Sequence, residues 1–301
     1  MINGIDVSKH NGTINWAKVD ASGIDFALIR AGYGNDIGQK DPKFDENMQG
    51  ALNRKMHVGI YWFSYAVSVE DARKEAEVCK KVIAPYKGKI DFPVAYDYEY
   101  ASINWAKDNN ITVTASIDSM ARAFMDSMKA DGWFVNLYTN IDFIKTGKFS
   151  AATIKAYDVW LADYSGAPDY SCTIQQTGST GTVPGISGNV DMDIAYKDYP
   201  TIIQAGGYNG YPKPQSTVVQ IDTTMDISFA HGTYYTVKTI SPQQVAVTAG
   251  TGGVVTIVPF PRTGNDQLFA LVAIGQTGQE TGIYTAASGE KPLRRFKFKI
   301  L

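Results

Sequence analysis

The sequence predicts an α/β fold in front and an all-β fold behind: an irregular β/α (TIM-like) barrel over residues 1–205, a linker at 206–215, and a smaller β-sandwich over 216–301. Three observations carry this expectation. Short apolar segments alternate with amphipathic stretches through the front, the pattern of a parallel sheet covered by helices. All five tryptophans (Trp16, Trp62, Trp105, Trp133 and Trp160) precede residue 200. Beyond that point the Gly/Pro-rich passage Gly206–Pro214 gives way to Thr- and Val-rich runs that alternate with period 2.

The strand candidates, in order, are Ile2–Val7, Phe26–Ala31, Val58–Tyr65, Phe92–Glu99, Trp133–Thr139, Val159–Ala162, Cys172–Gln176 and Val190–Ala195. Eight strands in the first 200 residues make a small barrel. It should be regular at first and degenerate at its end, because the last three strands lie too close together for full helices between them. The clearest helix sets Ile117, Met120, Ala121, Phe124, Met125 and Met128 on one stripe. Ala72, Ala76, Cys79 and Ile83 form a second stripe, which makes Cys79 a small core residue. In the tail, Val254–Val258 and Leu268–Val272 alternate, and Phe296, Phe298 and Ile300 share a face opposite Arg295, Lys297 and Lys299. That last run reads as a half-buried strand with a basic outer face.

Composition narrows the function classes. The net charge of -2 gives no reason to expect a nucleic-acid partner, although 20 Lys and Arg stand against 25 Asp and Glu through residue 200, and 8 against 5 after it. A mildly basic tail suits an anionic surface. No run approaches the roughly 18 apolar residues of a membrane span, so no membrane partner is expected. Met1–Asp6 lacks the basic head and apolar stretch of a signal peptide. Two cysteines, Cys79 and Cys172, are too few for a disulfide framework or a zinc cage. The three histidines, His10, His57 and His231, are scattered, so neither metal nor cofactor is expected.

The strongest chemical signal is Phe92-Pro93-Val94-Ala95-Tyr96-Asp97-Tyr98-Glu99-Tyr100. Residues i and i+2 of a strand share a face, which sets Asp97 and Glu99 side by side with Cα atoms about 6.5 Å apart. Barrel enzymes keep their active sites at such strand ends. Like charges that close resist joint ionisation, so one acid keeps its proton, as general-acid cleavage of a glycosidic bond requires. Asp6 ends the first strand and Asp191 begins the last, so barrel closure brings both toward the same mouth; Asp193 lies beside Asp191. Taken singly, each acid is also an ordinary cap or turn residue. Tyr61, Trp62, Phe63, Tyr138 and Trp160 frame the strand ends and offer flat faces for sugar rings. Of these, Phe63 is the one most simply read as core.

Ile5-Asp6-Val7-Ser8, Phe26–Gly32, Gly59–Tyr65, Asp97-Tyr98-Glu99, Trp160-Leu161-Ala162 and Val190-Asp191-Met192-Asp193 follow one another in this order. Together they resemble glycoside hydrolase family 25, the Chalaropsis-type muramidases of bacteria and their phages, across roughly residues 1–200. The resemblance implies an irregular β/α barrel that cleaves the β-1,4 bond between N-acetylmuramic acid and N-acetylglucosamine in bacterial peptidoglycan. It makes Glu99 the general acid, Asp97 its partner, and Asp6 and Asp191 supporting acids. It also makes Gln176 a substrate contact, in a Trp-Gln pair where this chain carries Gln175 in place of the Trp.

A retaining mechanism needs a nucleophile, and either Asp97 or the substrate's own acetamido group fits. Two other classes stand beside this one: a metal-dependent polysaccharide deacetylase using the carboxylates as ligands, and a non-catalytic glycan-binding protein on the same barrel. Scarce histidines weigh against the first, and so many converging acids against the second. The tail is expected to hold the enzyme on the wall, with a stability or dimerisation role as the alternative. A muramidase without a signal segment has the form of a phage endolysin, passing from host cytoplasm to wall; a secreted or released bacterial enzyme trimmed of its leader would read the same.

Overall fold

The computed structural model describes residues 1–212 and 219–301. They fall in two compact units, Met1–Pro214 and Gln215–Leu301. The first is a closed barrel of β1 (Ile2–Val7), β2 (Phe26–Tyr33), β3 (His57–Phe63), β4 (Val94–Asp97), β5 (Val135–Asn140), β6 (Asp158–Ala162), β7 (Ile174–Gly181) and β8 (Val190–Ala195). From β1 to β7 neighbours run parallel. The departure from the parallel pattern comes at the end of the barrel, where irregularity is expected: β8 is antiparallel to both β7 and β1. The segment between β7 and β8 is too short for a crossover of a dozen or more residues, so the chain turns straight back.

Helices α1 (Trp16–Ala21), α2 (Phe44–Asn53), α3 (Val69–Ile83), α4 (Tyr100–Asp108), α5 (Ile117–Ala130), α6 (Ile141–Lys145) and α7 (Ala151–Ala156) fill the crossovers. Their starts are written locally: Ser68 Oγ accepts from Asp71 N at 3.1 Å and Ser116 Oγ from Ser119 N at 3.2 Å. The stripe Ala72, Ala76, Cys79 and Ile83 of α3 is fully buried, as its spacing predicts. Among the described residues no helix is long and apolar enough to cross a membrane.

Inside the barrel, Phe26 and Phe92 stack with centroids 4.6 Å apart, and Tyr199 and Ile203 of α8 (Tyr199–Gly206) pack against them. These rings sit at the N-terminal ends of β2 and β4, so α8 plugs that end and leaves the opposite mouth open. Gly4 is required here, because a Cβ at that position would lie 2.3 Å from the Phe26 ring.

The linker expected at 206–215 is also corrected: its residues up to 212 belong to the barrel unit. Asn209, fully buried at φ 54°, accepts from Phe134 N at 2.7 Å and donates through Nδ2 to Ile90 O and Phe92 O, both at 3.0 Å. It thereby ties together the approaches to β4 and β5. The Gly/Pro content marks a turn folded under the barrel. Residues 213–215 of that linker, and 216–218 of the expected tail, lie outside the described residues.

The second unit contains β9 (Gln220–Ile221), β10 (Ile227–Phe229), β11 (Tyr234–Ile240), β12 (Val245–Ala249), β13 (Val255–Pro259), β14 (Asp266–Ala273), β15 (Glu280–Ala287) and β16 (Leu293–Ile300). They form two four-stranded sheets, ordered β10-β16-β15-β12 and β13-β14-β11-β9. Val237 and Leu271 of one sheet share a core with Ile283 and Phe298 of the other, which makes a sandwich. Phe296, Phe298 and Ile300 point into that core.

Asn209→Ala should remove three buried hydrogen bonds and strand the groups that made them. Each stranded group costs about 1–3 kcal/mol, so the urea midpoint of the barrel unit should fall by the equivalent of at least ~3 kcal/mol. A loss below ~1 kcal/mol would show that the passage is not part of the barrel's fold.

Candidate active site

The side chains at the open mouth follow from strand parity. Asp6 on β1, Arg30 on β2, Tyr61 and Phe63 on β3, Asp97 on β4 and Tyr138 on β5 all line a cleft of about 430 Å³. Trp160, Gln176 and Asp191 complete it from β6, β7 and β8. Because β8 runs backwards, its first residues reach the end where the other strands finish. The register pairs Asp6 with Asp191 and Gly4 with Asp193.

Glu99 requires a correction of detail. The strand expected over 92–99 ends at Asp97, and Glu99 is the N-cap of α4, still extended at φ -126° and ψ -179°. Tyr98 between them is buried on the other side, so alternation continues past the strand end and both acids face the cleft. The Glu99 backbone is anchored from behind: its N–H donates to Ser102 Oγ at 3.3 Å, and Ser102 Oγ donates to Ser64 O at 2.7 Å. Ser64 Oγ in turn donates to Glu75 Oε2 at 2.5 Å and accepts from Tyr96 OH at 3.0 Å.

Burial is the main force on every acid here. It pushes Asp97 well above the usual carboxylate range, and the neighbouring Glu99 charge and the hydrogen bond to Glu99 push it further. Arg30 opposes the rise. Burial also raises Glu99, so both acids hold their protons to higher pH than free carboxyls would. Asp97 Oδ1 is buried with no hydrogen-bond partner in the protein. Asp6 is raised well above its ordinary value by burial and then by Asp193 and Asp191. Burial pushes Asp193 up to about 8 and also raises Asp191.

Four hydrogen bonds hold the floor. Gln176 Nε2 donates to Asp6 Oδ2 at 2.7 Å, while Gln176 Oε1 accepts from Tyr138 OH at 3.1 Å and Tyr164 OH at 2.8 Å. Trp160 Nε1 donates to Asp193 Oδ1 at 2.8 Å. Tyr138 and Tyr61 meet the Trp160 ring edge-on, with centroids 4.7 and 5.9 Å away.

Eight of the nine residues singled out in the sequence (Glu99, Asp97, Asp6, Asp191, Tyr61, Tyr138, Trp160 and Gln176) therefore meet in one cleft. Trp62 does not. It is fully buried on the outer face of β3, and its Nε1 donates to Gly34 O at 3.1 Å. Parity decides this, since Tyr61 and Phe63 point inward and the residue between them points out; Phe63, the ring most simply read as core, lines the cleft instead. Gln175 likewise faces away, donating through Nε2 to Asp163 O at 2.7 Å and Gly166 O at 2.8 Å. Sequence reasoning missed Arg30, Tyr164 and the weight of Asp193. The i+2 spacing from Asp191 signals Asp193, and the inward phase of Phe26 and Leu28 signals Arg30. No local pattern marks Tyr164.

The profile of Glycosyl hydrolases family 25 matches residues 5–186. The chain is 29% identical to the autolytic lysozyme of Clostridium acetobutylicum over 196 residues, which cover 63% of this chain and 54% of that relative. It is 26% identical to the lysozyme of Lactococcus phage mv1 over 189 residues, 60% of this chain and 91% of that one. Among solved structures it is similar to the modular autolysin LytC of Streptococcus pneumoniae, determined with a synthetic peptidoglycan ligand: TM-score 0.57 and 26% identity over 65% of this chain and 46% of that one. The chain thus spans about half the length of the clostridial and pneumococcal proteins.

Glu75, behind the site, offers a clean measurement. Burial raises it from 4.5 to about 8 in the folded protein. The unfolded chain therefore releases this proton at lower pH than the folded one. The stabilisation is complete below about pH 4.5 and is lost as pH rises toward 8. Unfolding free energies of wild type and Glu75→Gln, measured between pH 5 and 7.5, should converge or diverge by about 1.4 kcal/mol per pH unit, with wild type weakening as pH rises. Parallel curves would mean that Glu75 is already ionised in the fold.

Proposed function

The chain belongs to glycosyl hydrolases family 25, and from that premise we propose that it hydrolyses peptidoglycan at the bacterial cell wall. The bond cut is the β-1,4 link between N-acetylmuramic acid and N-acetylglucosamine, with Glu99 as general acid. The observation that carries this reading is the Asp97–Glu99 pair, a buried and a half-buried acid in contact at a barrel mouth, both raised by desolvation. Lysozymes among the relatives support the same substrate.

The chemistry proceeds in two steps. Glu99 gives its proton to the glycosidic oxygen as the bond from that oxygen to C1 breaks. The acetamido carbonyl oxygen of the muramic acid closes on C1, forming an oxazolinium ion. Asp97 Oδ1, which lacks a donor within the protein, accepts the acetamido N–H. A hydrogen bond to the ionised form favours that form, so substrate binding holds Asp97 as the anion and leaves the proton on Glu99. The Asp97 charge then stabilises the cation beside it. In the second step Glu99 takes a proton from water, whose oxygen attacks C1 and reopens the ring with overall retention. Tyr61, Tyr138 and Trp160 supply the surface for the sugar. Gln176 fixes Asp6, and Asp6 and Asp191 hold sugar polar groups.

The second unit fits a role in holding the enzyme on the wall. It has its own core, and its last strand carries Arg295, Lys297 and Lys299 away from that core. Tethering raises effective concentration only where the substrate is a surface.

Glu99→Gln preserves shape and removes the transferable proton. General-acid catalysis contributes about 10²–10⁴-fold, so lysis of purified walls should fall at least about 100-fold with the unfolding midpoint retained. Near-normal lysis by the folded variant would sink the assignment. A chain ended at residue 212 should cut soluble glycan strands at nearly the full rate but clear intact walls more slowly, and equal loss on both substrates would reject the tether.

A further inference from the structure

The catalytic cleft does not end at Phe63. Two further hollows, of about 380 and 290 Å³, continue from it, the first sharing Arg30 and Phe63 with the cleft and the second sharing Tyr33 and Tyr65 with the first. Their walls are a ladder of rings. Phe63 and Tyr65 have centroids 5.1 Å apart, Tyr65 and Trp105 5.0 Å, and Tyr33 meets Tyr65 edge-on at 6.1 Å. Trp105 closes the far end with 39% of its surface exposed, while the other four tryptophans are buried.

Trp105 does not stand alone: it ends a row of rings running from Phe63 through Tyr65, and a contiguous exposed patch of that kind marks a binding surface. We propose that this aromatic arm is a distal binding site for the glycan strand, taking sugar units beyond those held at the acids. The inference rests on the glycan-cleaving reading above and deepens it. Three features select a sugar chain. The arm is continuous with the cleft in which the scissile bond would lie. Its rings give the flat apolar faces that sugar C–H surfaces cover, and Asn35 and Gln39 on its rim give amides for hydroxyl and acetamido groups. Its one acid, Glu75, has both oxygens engaged with Ser64 Oγ and Tyr65 N, at 2.5 and 2.8 Å, so it offers little to a cationic peptide.

The arm is also metrically tied to the reacting bond. Glu99 caps α4 and Trp105 lies on the same helix, six residues on, or about 9 Å along its axis. That distance is filled by a disaccharide, not by one ring. A strand seated on Trp105 is thereby held in register with the acid on one rigid element, and longer strands should bind better than short ones.

The test uses the full chain and N-acetylglucosamine oligomers as probe, with binding read by calorimetry and by tryptophan fluorescence, to which Trp105 is the exposed contributor. The hexamer should bind at least about tenfold more tightly than the trimer. Trp105→Ala should abolish that length advantage, and Trp105→Phe should restore part of it. Failure of both oligomers to bind, equal affinity for both in wild type, or a length advantage that survives Trp105→Ala overturns the proposal. So does a free wall stem peptide that perturbs Trp105 when the hexamer does not. Each of these outcomes leaves the cleavage reading intact, because that is judged by lysis with Glu99→Gln, while loss of the cleavage reading leaves the length dependence of binding to be measured.

Discussion

Closing the barrel with an antiparallel strand is the constraint from which the site follows. A parallel β8 would present its C-terminal residues, Ile194 and Ala195, at the mouth. Reversed, it presents Asp191 and Asp193 there, in register with Asp6 and Gly4 of β1. Three carboxylates then lie on two adjoining strands, opposite the Asp97–Glu99 pair. Such crowding disfavours joint ionisation, and it persists only where the surrounding structure outweighs it. The opposite end of the barrel provides that weight: Phe26, Phe92, Tyr199 and Ile203 fill it completely, and Gly4 yields the space for the Phe26 ring. A dry, fully packed base supports a polar, incompletely satisfied mouth.

The unsatisfied atoms are distributed unevenly. Asp6 has Gln176, and Asp193 has Trp160 for one oxygen. Asp97 Oδ1 and Asp193 Oδ2 have no partner. A buried acceptor without a donor costs about 1–3 kcal/mol, an outlay that evolution tolerates where a ligand supplies the donor. Gln176 does the opposite work: with two hydroxyls donating to its oxygen and its nitrogen donating to Asp6, it has one orientation only, and it transmits that order to the floor.

How much of this was legible in the sequence depends on range. The eight strand segments could be placed within a few residues, because period-2 and helical patterns are local. Asp97 and Glu99 could be paired because their relation is i, i+2. Trp62 and Phe63 show the limit. Adjacent aromatics in one strand must face opposite ways, yet which faces the cleft is fixed by register against β2 and β4, and no local feature carries that. Asn209 fails for the same reason. Its setting in Tyr208-Asn209-Gly210 reads as a free turn, while its five hydrogen-bonding neighbours at Gly88, Ile90, Phe92, Gly132 and Phe134 lie far away in the sequence. Tyr164 reaches Gln176 from a loop with no periodicity at all.

One physical cause underlies both the fragility and the competence of the mouth. Desolvation is the largest influence on Asp6, Asp97, Glu99, Asp191 and Asp193, and it acts upward on each. An acid whose folded pKa is raised weakens the fold as pH climbs above its unfolded value, so these groups set stability against neutrality. The same shift keeps a proton on the Asp97–Glu99 pair at the pH where a free carboxylic acid would have lost it. Relieving the strain by opening the mouth to water would strengthen the fold and discharge the acid. The helix that positions Glu99 is accordingly braced from the dry side, through Ser102, Ser64 and Glu75, where added rigidity admits no water to the carboxyl it serves.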